Sequence, residues 1–205
     1  MARIKLTELK TEIQKYLGIP YFKNTGKYKN SGDNVMVGKG NAHEIALKTV
    51  EMANSKNIKL LELDDQQIYN FQKKHHLGID CSGLVCHLVN FCFDKNLNPR
   101  RTSADMLTTA PIASPIDLSL ITTGDLIRLD SGHHVLLVVE KTKELIVYIH
   151  SSDKTTIRGV HYGTIEINNP KADLDKQNWS DVTKDGKPYS DLYHPAKGDG
   201  VFRVN

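Results

Sequence analysis

Apolar side chains recur at intervals of three and four residues in the first 75 positions, which is the spacing of one face of an α-helix. They predict a first helix that Gly18 and Pro20 end, and two more helices near residues 42–54 and 64–75. Residues 23–40 are rich in Asn, Gly and Lys and predict a long loop. The positions expected to face the core are Leu6, Leu9, Ile13 and Leu17 in the first helix, Ile45, Leu47 and Val50 in the second, and Ile68 and Phe71 in the third.

Residues 84–93 are apolar on nearly every helical face, which is typical of a buried helix and not of a surface one. This helix is predicted to begin at Cys81 and to end before Asn98-Pro99. Cys86 and Cys92 are expected to be core positions within it.

After Gly124 the pattern changes to short runs of β-branched residues separated by turn formers. Residues 141–143 predict the turn of an antiparallel hairpin, and residues 201–204 predict a last strand. Residues 168–199 are polar, contain prolines and glycines, and predict an irregular segment. Helices followed by strands predict an α+β fold. The strands predicted ahead of the irregular segment are 126–129, 135–139, 145–149 and 164–167.

Composition narrows the classes of protein that need to be considered. The 205 residues predict one domain, 1–205, with enough chain for a sizeable core. The net charge of +3 is small and the lysines are scattered, which argues against a nucleic-acid partner. No stretch reaches the roughly 20 apolar residues of a membrane span. The first residues lack the apolar core of a secretory signal, so we expect a cytoplasmic protein, with a phage-borne or otherwise exported enzyme as the alternative.

The three cysteines, at positions 81, 86 and 92, fall within one predicted helix. An odd number leaves at least one free thiol, and spacings of five and six residues match no common zinc site. Cys81 stands on the first turn, where the helix dipole and unpaired N–H groups favour a thiolate, which is the nucleophilic form. It is therefore a candidate catalytic residue, with a buried core thiol as the alternative.

A cysteine nucleophile needs a base and a group that orients the base. His134 opens one strand of the predicted hairpin and His150 closes the other, so pairing of the strands would place the two imidazoles side by side. His150 could then hold the ring of His134 while His134 faces the thiol. His133 competes with His134, because successive residues of a strand point to opposite faces.

Five ordered segments resemble the motifs of the NlpC-type cell-wall peptidases, a papain-like family of cysteine peptidases. The resemblance covers about residues 6–22 and 79–167. It implies a papain-like fold in which a buried nucleophile helix packs on a small antiparallel sheet. The segments are Leu17-Gly18-Ile19-Pro20-Tyr21, Asp80-Cys81-Ser82-Gly83-Leu84-Val85, Pro99-Arg100-Arg101-Thr102-Ser103-Ala104-Asp105, Gly124-Asp125-Leu126 and His134-Val135.

The resemblance also implies roles for individual residues. Cys81 would be the nucleophile, His134 the general base and then acid, and His150 the orienting residue. Tyr21 would lie beside the thiol, and Asp80 and Ser82 match positions that hold the free amino end of a peptide stem in some members. The alternatives are core packing for Tyr21, a helix N-cap for Asp80 and a plain first-turn residue for Ser82. No metal and no cofactor are required.

The chain departs from the family pattern in two places. An insertion at about 24–78 separates Tyr21 from Cys81 and could roof or narrow the cleft. The polar segment at about 168–199 is a second addition, and its aromatic residues would pack it down as a flap or contact a ligand. His43, His75, His76 and His161 have no partner pattern and are assigned no metal. The aromatic residues of the second addition are Trp179, Tyr189 and Tyr193.

The function expected from these motifs is that of a cysteine peptidase or amidase. Its substrate would be a peptide or peptidoglycan fragment, cleaved at a γ-D-glutamyl to diamino-acid bond through a thioester acyl-enzyme. An acyltransferase or transamidase on the same fold is one alternative, and a catalytically inactive peptide-binding module is another. The sequence leaves the oligomeric state open.

Overall fold

Helices occupy the first half of the chain and strands the second half in the computed structural model, which describes residues 5–23 and 31–205. The prediction of a mixed α+β fold is therefore confirmed. The α-helices of the described residues are α1 (Leu9–Gln14), α2 (Ala42–Ser55), α3 (Asp65–Lys74), α4 (Cys81–Phe93) and α5 (Ala104–Leu107).

The helix starts follow from side chains that accept hydrogen bonds from the first backbone N–H groups. Asn41 and Asp64 each form a capping box, α2 with Glu44 and α3 with Gln67. Asp80 caps α4 by accepting from the backbone N–H of Gly83 at 2.6 Å. The three predicted helices in residues 42–93 are thus confirmed, whereas α1 is shorter than predicted because residues 6–8 form a 3₁₀ turn. The part of the predicted 23–40 loop at 24–30 lies outside the described residues.

The buried face of α2 differs from the predicted one. Ile45 is fully buried as expected, but Leu47 and Val50 are 57% and 49% exposed, so that part of the prediction is wrong. The residues that α2 buries lie three, four and seven positions apart and include Thr49, whose hydroxyl donates to the Ile45 carbonyl. Because Thr49 is polar, the sequence pattern did not indicate that it lies on the buried face, and the predicted face was therefore rotated away from the observed one. In α3, Phe71 is buried and Ile68 half-buried.

The strands form one antiparallel sheet in the order β1-β7-β2-β3-β4-β5-β6. All predicted strands are present, and most are longer than predicted. The hairpin about residues 141–143 pairs β3 with β4, with a bulge between Val138 and Glu140. β1 and β6 were not predicted, so the segment 168–199 is not wholly irregular. The strands are β1 (Ala113–Ile116), β2 (Leu126–Leu129), β3 (His134–Lys141), β4 (Leu145–Ser152), β5 (Gly159–Glu166), β6 (Asn178–Trp179) and β7 (Gly200–Val204).

The sheet buries both of its faces. One face packs under α4, whose contacts cross β3 and β4, and its core includes Val135, Leu137 and Ile149 together with the buried Cys86 and Cys92. The expectation that these two cysteines are core residues is confirmed. The other face is covered by the segment 168–199. Its apolar side chains there are Leu174, Trp179, Tyr189 and Tyr193.

The aromatic residues of the segment 168–199 therefore pack it onto the sheet, which was one of the two predicted roles. The indole N–H of Trp179 donates to the Leu174 carbonyl at 2.8 Å, and the Tyr193 hydroxyl donates to Asp173 at 2.8 Å. Buried rings with satisfied polar atoms are what anchors such a segment. Among the helices of the described residues, none has the length and apolar character needed to cross a membrane.

Candidate active site

Cys81 is the first residue of α4, and the start of β3 lies directly beside it. The thiol donates a hydrogen bond to the carbonyl oxygen of His133 at 3.8 Å, and the backbone N–H of Val135 points at the sulfur from the same strand. His134 stands between these two residues. The structure thus brings the thiol to the backbone that carries His134, although the thiol's hydrogen-bond partner is a carbonyl and not the imidazole.

The thiol is protonated at rest in this conformation. Burial raises the pKa of Cys81 to about 12, and the nearby carboxylate of Asp80 acts in the same direction. The Lys39 ammonium and the N–H groups of Val135 and Ser82 lower the pKa but do not outweigh burial. The sequence predicted a thiolate from the helix N-terminus alone. Only 6% of Cys81 is exposed, and this desolvation is what the sequence could not show.

His134 and His150 lie side by side, as the pairing of the predicted hairpin required. The Nε2 atom of His134 is 2.9 Å from the Nδ1 atom of His150, and both rings are buried. Both belong to the sheet face covered by the segment 168–199, since Leu137 and Ile149 of the same strands face α4. His133 is exposed, so His134 is the histidine that enters the interior.

Two groups that the sequence did not predict complete this chain of histidines. His161 lies opposite His150 on β5, and their Nε2 atoms are 2.9 Å apart. Asp181, from the segment 168–199, reaches His150 Nε2 at 3.1 Å with Oδ2 and His161 Nε2 at 3.2 Å with Oδ1. The Tyr148 hydroxyl donates to Asp181 at 2.5 Å. The interpretation of His161 as a residue without partners was wrong, because the β4–β5 pairing that aligns it with His150 was not predicted.

The hydrogen bonds fix where the protons stand along this chain. A carboxylate only accepts, so His150 carries its proton on Nε2, toward Asp181. His150 Nδ1 then holds a lone pair and accepts from the Nε2–H of His134. The remaining nitrogen of His134, Nδ1, keeps a free lone pair, which is the form that a general base requires.

Electrostatics favour neutral imidazoles on His134 and His150. Burial lowers the pKa of His134 well below its usual range and that of His150 to about 4. Burial alone would raise the pKa of Asp181, but hydrogen bonds from His150 and His161 outweigh it and hold the pKa well below its usual range. The site therefore rests as a thiol, neutral imidazoles on His134 and His150, and a carboxylate.

Tyr21 lies near Cys81 despite the insertion that separates them in sequence. It forms a parallel bridge with Ile79, and the backbone N–H of Ile79 donates to the Pro20 carbonyl at 3.0 Å. Burial raises the pKa of the Tyr21 phenol, and the neighbouring Cys81 raises it further. Gly78 permits this approach, because a Cβ atom there would stand 2.3 Å from the Pro20 oxygen.

Tyr189 is a second tyrosine at the site, although the sequence predicts for it only that it packs the segment 168–199 or contacts a ligand. Its hydroxyl is 3.5 Å from His150 Nδ1, and its ring lies edge-on to the rings of His134 and His150. Burial is the main cause of its raised pKa, with the nearby Asp181 and Cys81 acting in the same direction. Tyr189 thus closes the site from the segment 168–199.

Asp80 and Ser82 are bound by a lysine of the same chain. The ammonium of Lys39 lies 2.8 Å from each Asp80 carboxylate oxygen and 2.5 Å from the Ser82 hydroxyl. All three residues are buried. The N-cap role of Asp80 is observed, and the groups expected to receive a substrate amine already hold an amine. The sequence marked Lys39 only as part of a polar loop.

The turn that leads into His134 is held by a buried carboxylate from the far end of the chain. Asp199 accepts from the backbone N–H groups of Ser131 and Gly132, each at 3.0 Å, and from that of His194 at 2.9 Å. Asp130 and Ser131 both adopt left-handed backbone conformations in this turn. Asp199 therefore positions the residues that present the His133 carbonyl and the His134 ring.

A groove of about 500 Å³ lies between α3 and the turn at residues 156–158. Its walls are mainly polar and charged, and it extends to Gly18, close to the segment that carries Tyr21. The insertion thus forms one wall of a groove near the site. The residues that line it include Asp65, Gln66, Tyr69, Lys73 and Arg158.

Comparison with known proteins adds no assignment to this geometry. No protein-family model matches the chain, and no curated protein sequence matches it. The function must therefore be argued from the site itself.

Proposed function

We propose that this chain is a papain-like cysteine amide hydrolase of the NlpC type that cleaves short peptides of the cell-wall type. The observation that carries the proposal is the chain of hydrogen bonds from Asp181 through His150 to His134, beside the first residue of a buried helix, Cys81. This arrangement leaves His134 Nδ1 as the one unprotonated nitrogen of that ring. The motif resemblance supports the same assignment.

In the proposed reaction, the thiol leaves the His133 carbonyl and gives its proton to His134 Nδ1. The sulfur attacks the amide carbonyl, and the oxyanion is stabilised by backbone N–H groups at the start of α4. His134 then protonates the leaving amine, which gives a thioester acyl-enzyme. Water, activated by the same nitrogen, releases the acid and restores the thiol.

His150 and Asp181 act on His134 and not on the substrate. Asp181 fixes the proton of His150 on Nε2, and His150 in turn fixes the proton of His134 on its own Nε2. When His134 receives the thiol proton, the resulting imidazolium keeps both N–H groups directed at acceptors. The buried carboxylate of Asp181 stabilises that positive charge through His150.

The substrate class follows from the resemblance and from Lys39. A γ-D-glutamyl to diamino-acid bond is the expected target. The amino end of the substrate would have to displace Lys39 in order to reach Asp80 and Ser82. We therefore expect peptides with acetylated amino ends to be cleaved as fast as free ones, within about threefold, since that subsite is filled from within.

Hydrolysis of synthetic wall peptides, followed by mass spectrometry, tests the proposal. C81A should abolish turnover, and H134A should reduce it by about 10²–10⁴-fold. C86A is the matched control, because Cys86 is a buried thiol on the same helix that points into the core. Full hydrolytic activity in folded C81A would refute the mechanism.

One observation favours an acyltransferase as the second candidate. Only 6% of Cys81 is exposed, and Tyr189 and Tyr21 are close enough for Cys81 to influence their pKa values, so water has little access to a thioester formed there. Turnover in the presence of added glycinamide separates the two functions. A transferase yields mainly the amide product, whereas a hydrolase yields the free acid.

A further inference from the structure

We propose that His150, His161 and Asp181 also form a site for a divalent transition metal of the zinc class, and that an ion there switches off the Cys81–His134 centre. The metal site stands on the geometry of the three side chains alone. The switch rests on the proposed function.

The three donor atoms already stand close to the spacing that a metal imposes. The two Nε2 atoms are 2.9 Å apart, and the carboxylate oxygens lie 3.1 Å from His150 Nε2 and 3.2 Å from His161 Nε2. Ligands at about 2.0–2.1 Å from a tetrahedral zinc are roughly 3.3 Å from one another. One ligand atom from each of the three side chains lies within 4.8 Å of the others, so small movements that turn one Asp181 oxygen toward both nitrogens would admit the ion, with a fourth position left for water.

The surrounding hydrogen bonds orient the ligands as in known metal sites. The Nδ1–H of His161 donates to the Gly159 carbonyl at 3.0 Å, which directs a lone pair of Nε2 at Asp181 when the ring is neutral. Tyr148 holds Asp181 from the other side at 2.5 Å. Histidine ligands that donate to a backbone carbonyl and carboxylates held by a second group are typical of the outer shell of zinc sites.

The proton count leaves one acceptor too many in this buried cluster. When the proton of His161 is on Nδ1 and donates to the Gly159 carbonyl, the Nε2–H of His150 is the one ring hydrogen that His161 Nε2 at 2.9 Å and Asp181 at 3.1 Å share, and the 3.2 Å contact between His161 Nε2 and the other carboxylate oxygen has no hydrogen of its own. Either a proton on His161 or a metal ion resolves this conflict. A divalent ion satisfies all three atoms at once, because each then directs a lone pair at positive charge.

A metal ion in the site would move the ring proton of His150, and with it that of His134, from Nε2 to Nδ1. A metal on His150 Nε2 requires the proton of that ring on Nδ1, from which it donates to His134 Nε2. His134 must then carry its own proton on Nδ1, so no lone pair remains to accept the thiol proton. Each ring keeps one proton throughout, and only its position changes. Metal binding and catalysis are thus mutually exclusive.

The binding test uses full-length protein stripped with a chelator and then mixed with Zn²⁺ or Co²⁺. Competition with a chromogenic chelator gives the stoichiometry, and the visible spectrum of bound Co²⁺ reports its coordination. A second arm refolds the protein in the presence of the metal, since the segment 168–199 covers the site. We expect one equivalent in the wild type, in C81A and in H43A, whose histidine is an exposed matched control on α2.

H161A and D181A should each weaken the binding at least tenfold. Absence of stoichiometric binding in both arms would overturn the proposal. So would unchanged affinity in H161A and D181A, or loss of binding in C81A, which would place the metal at the thiol. None of these results depends on hydrolytic activity, so they decide the metal site even if the proposed function fails.

The switch is tested separately, by hydrolysis. Stoichiometric Zn²⁺ should reduce wild-type turnover at least tenfold, and a chelator should restore it, whereas the residual turnover of H161A should be insensitive to the metal. A wild type that binds one equivalent of Zn²⁺ and hydrolyses at its full rate would refute the switch but not the site. A wild type without any turnover would refute the proposed function, and with it the switch.

Discussion

Replacement of Lys39 by methionine tests whether an ion pair holds the insertion to the start of α4. Lys39 and Asp80 are both buried, and the ammonium lies 2.8 Å from each carboxylate oxygen. K39M keeps the apolar stem of the side chain and removes only the charge and its donors. Asp80 is then a buried carboxylate whose remaining donors are the Ser82 hydroxyl and the Gly83 N–H.

The magnitude follows from the distance and the burial. At 2.8 Å and an effective dielectric constant of about 20, the attraction between two unit charges is about 6 kcal/mol. Desolvation of the two ions offsets most of this, so the intact pair adds little net stability. Removal of one partner leaves the other charge buried, and K39M should therefore lower the free energy of unfolding by about 3–5 kcal/mol.

Urea unfolding of four proteins measures the effect: wild type, K39M, D80N and the double variant. The double variant should be more stable than the sum of the single changes predicts, with a coupling of about 2–3 kcal/mol. K48M is the matched control. Lys48 lies in the same insertion and pairs with Asp33 and Glu51 near the surface, so its loss should cost less than about 1 kcal/mol. Equal unfolding of K39M and K48M, or additive effects in the double variant, would contradict the reasoning.

Three further predictions follow from burial and backbone geometry. Burial raises the pKa values of the three cysteines to about 11 or 12, so the stability that the protonated thiols contribute is complete below about pH 8.5 and is lost as the pH rises. At pH 9.5 each thiol should lower the free energy of unfolding by about 1 kcal/mol relative to pH 7.5, measured by urea unfolding at the two pH values. C92A should reduce this loss. G159A should lower the free energy of unfolding by about 2–3 kcal/mol, because Gly159 has φ +86° and a Cβ atom there would stand 2.4 Å from the Ile19 oxygen. G186A, where φ is +80° but no atom lies within 4 Å of the added Cβ, should lower it by only about 1 kcal/mol. Similar losses in both variants would show that the contact with Ile19 does not matter. D199N replaces one of the two accepting oxygens by an NH₂ group, so at least one N–H group of the turn before His134 loses its acceptor. This should lower the free energy of unfolding by about 1–3 kcal/mol, measured by thermal unfolding, and lower kcat about tenfold with KM unchanged; an unaltered kcat would exclude a positioning role for Asp199.

The features that the sequence predicted correctly are those that show in the local spacing of apolar residues. The helix that begins at Cys81 is apolar all round, and the two β-branched runs on either side of residues 141–143 predict the hairpin that the structure contains. That pairing alone was enough to place His134 beside His150. The aromatic residues of the segment 168–199 were also expected to be buried, since large apolar area needs a surface to cover.

What the sequence did not predict depends on contacts between distant polar residues. Asp181 and Lys39 lie in segments without periodicity, and nothing local distinguishes them from other charged residues of the chain. His161 became meaningful only once the register of β4 and β5 was known. β1 was missed because Pro115 breaks the strand pattern, which an edge strand tolerates. The protonation of Cys81 was missed for a similar reason, since burial is a property of the whole fold.

The bridge between Tyr21 and Ile79 has a consequence for how this chain can change over time. The insertion leaves the site and returns to it at one point, so the two ends are held together whatever lies between them. Closing a longer loop costs only about 0.6 kcal/mol for each doubling of its length. Residues can therefore be added to the loops of the insertion at little thermodynamic cost, provided that α2 and α3 still bury Ile45 and Phe71 and that a cation still reaches Asp80. The loop lengths of the insertion can therefore change during evolution, whereas Lys39 must remain to pair with Asp80.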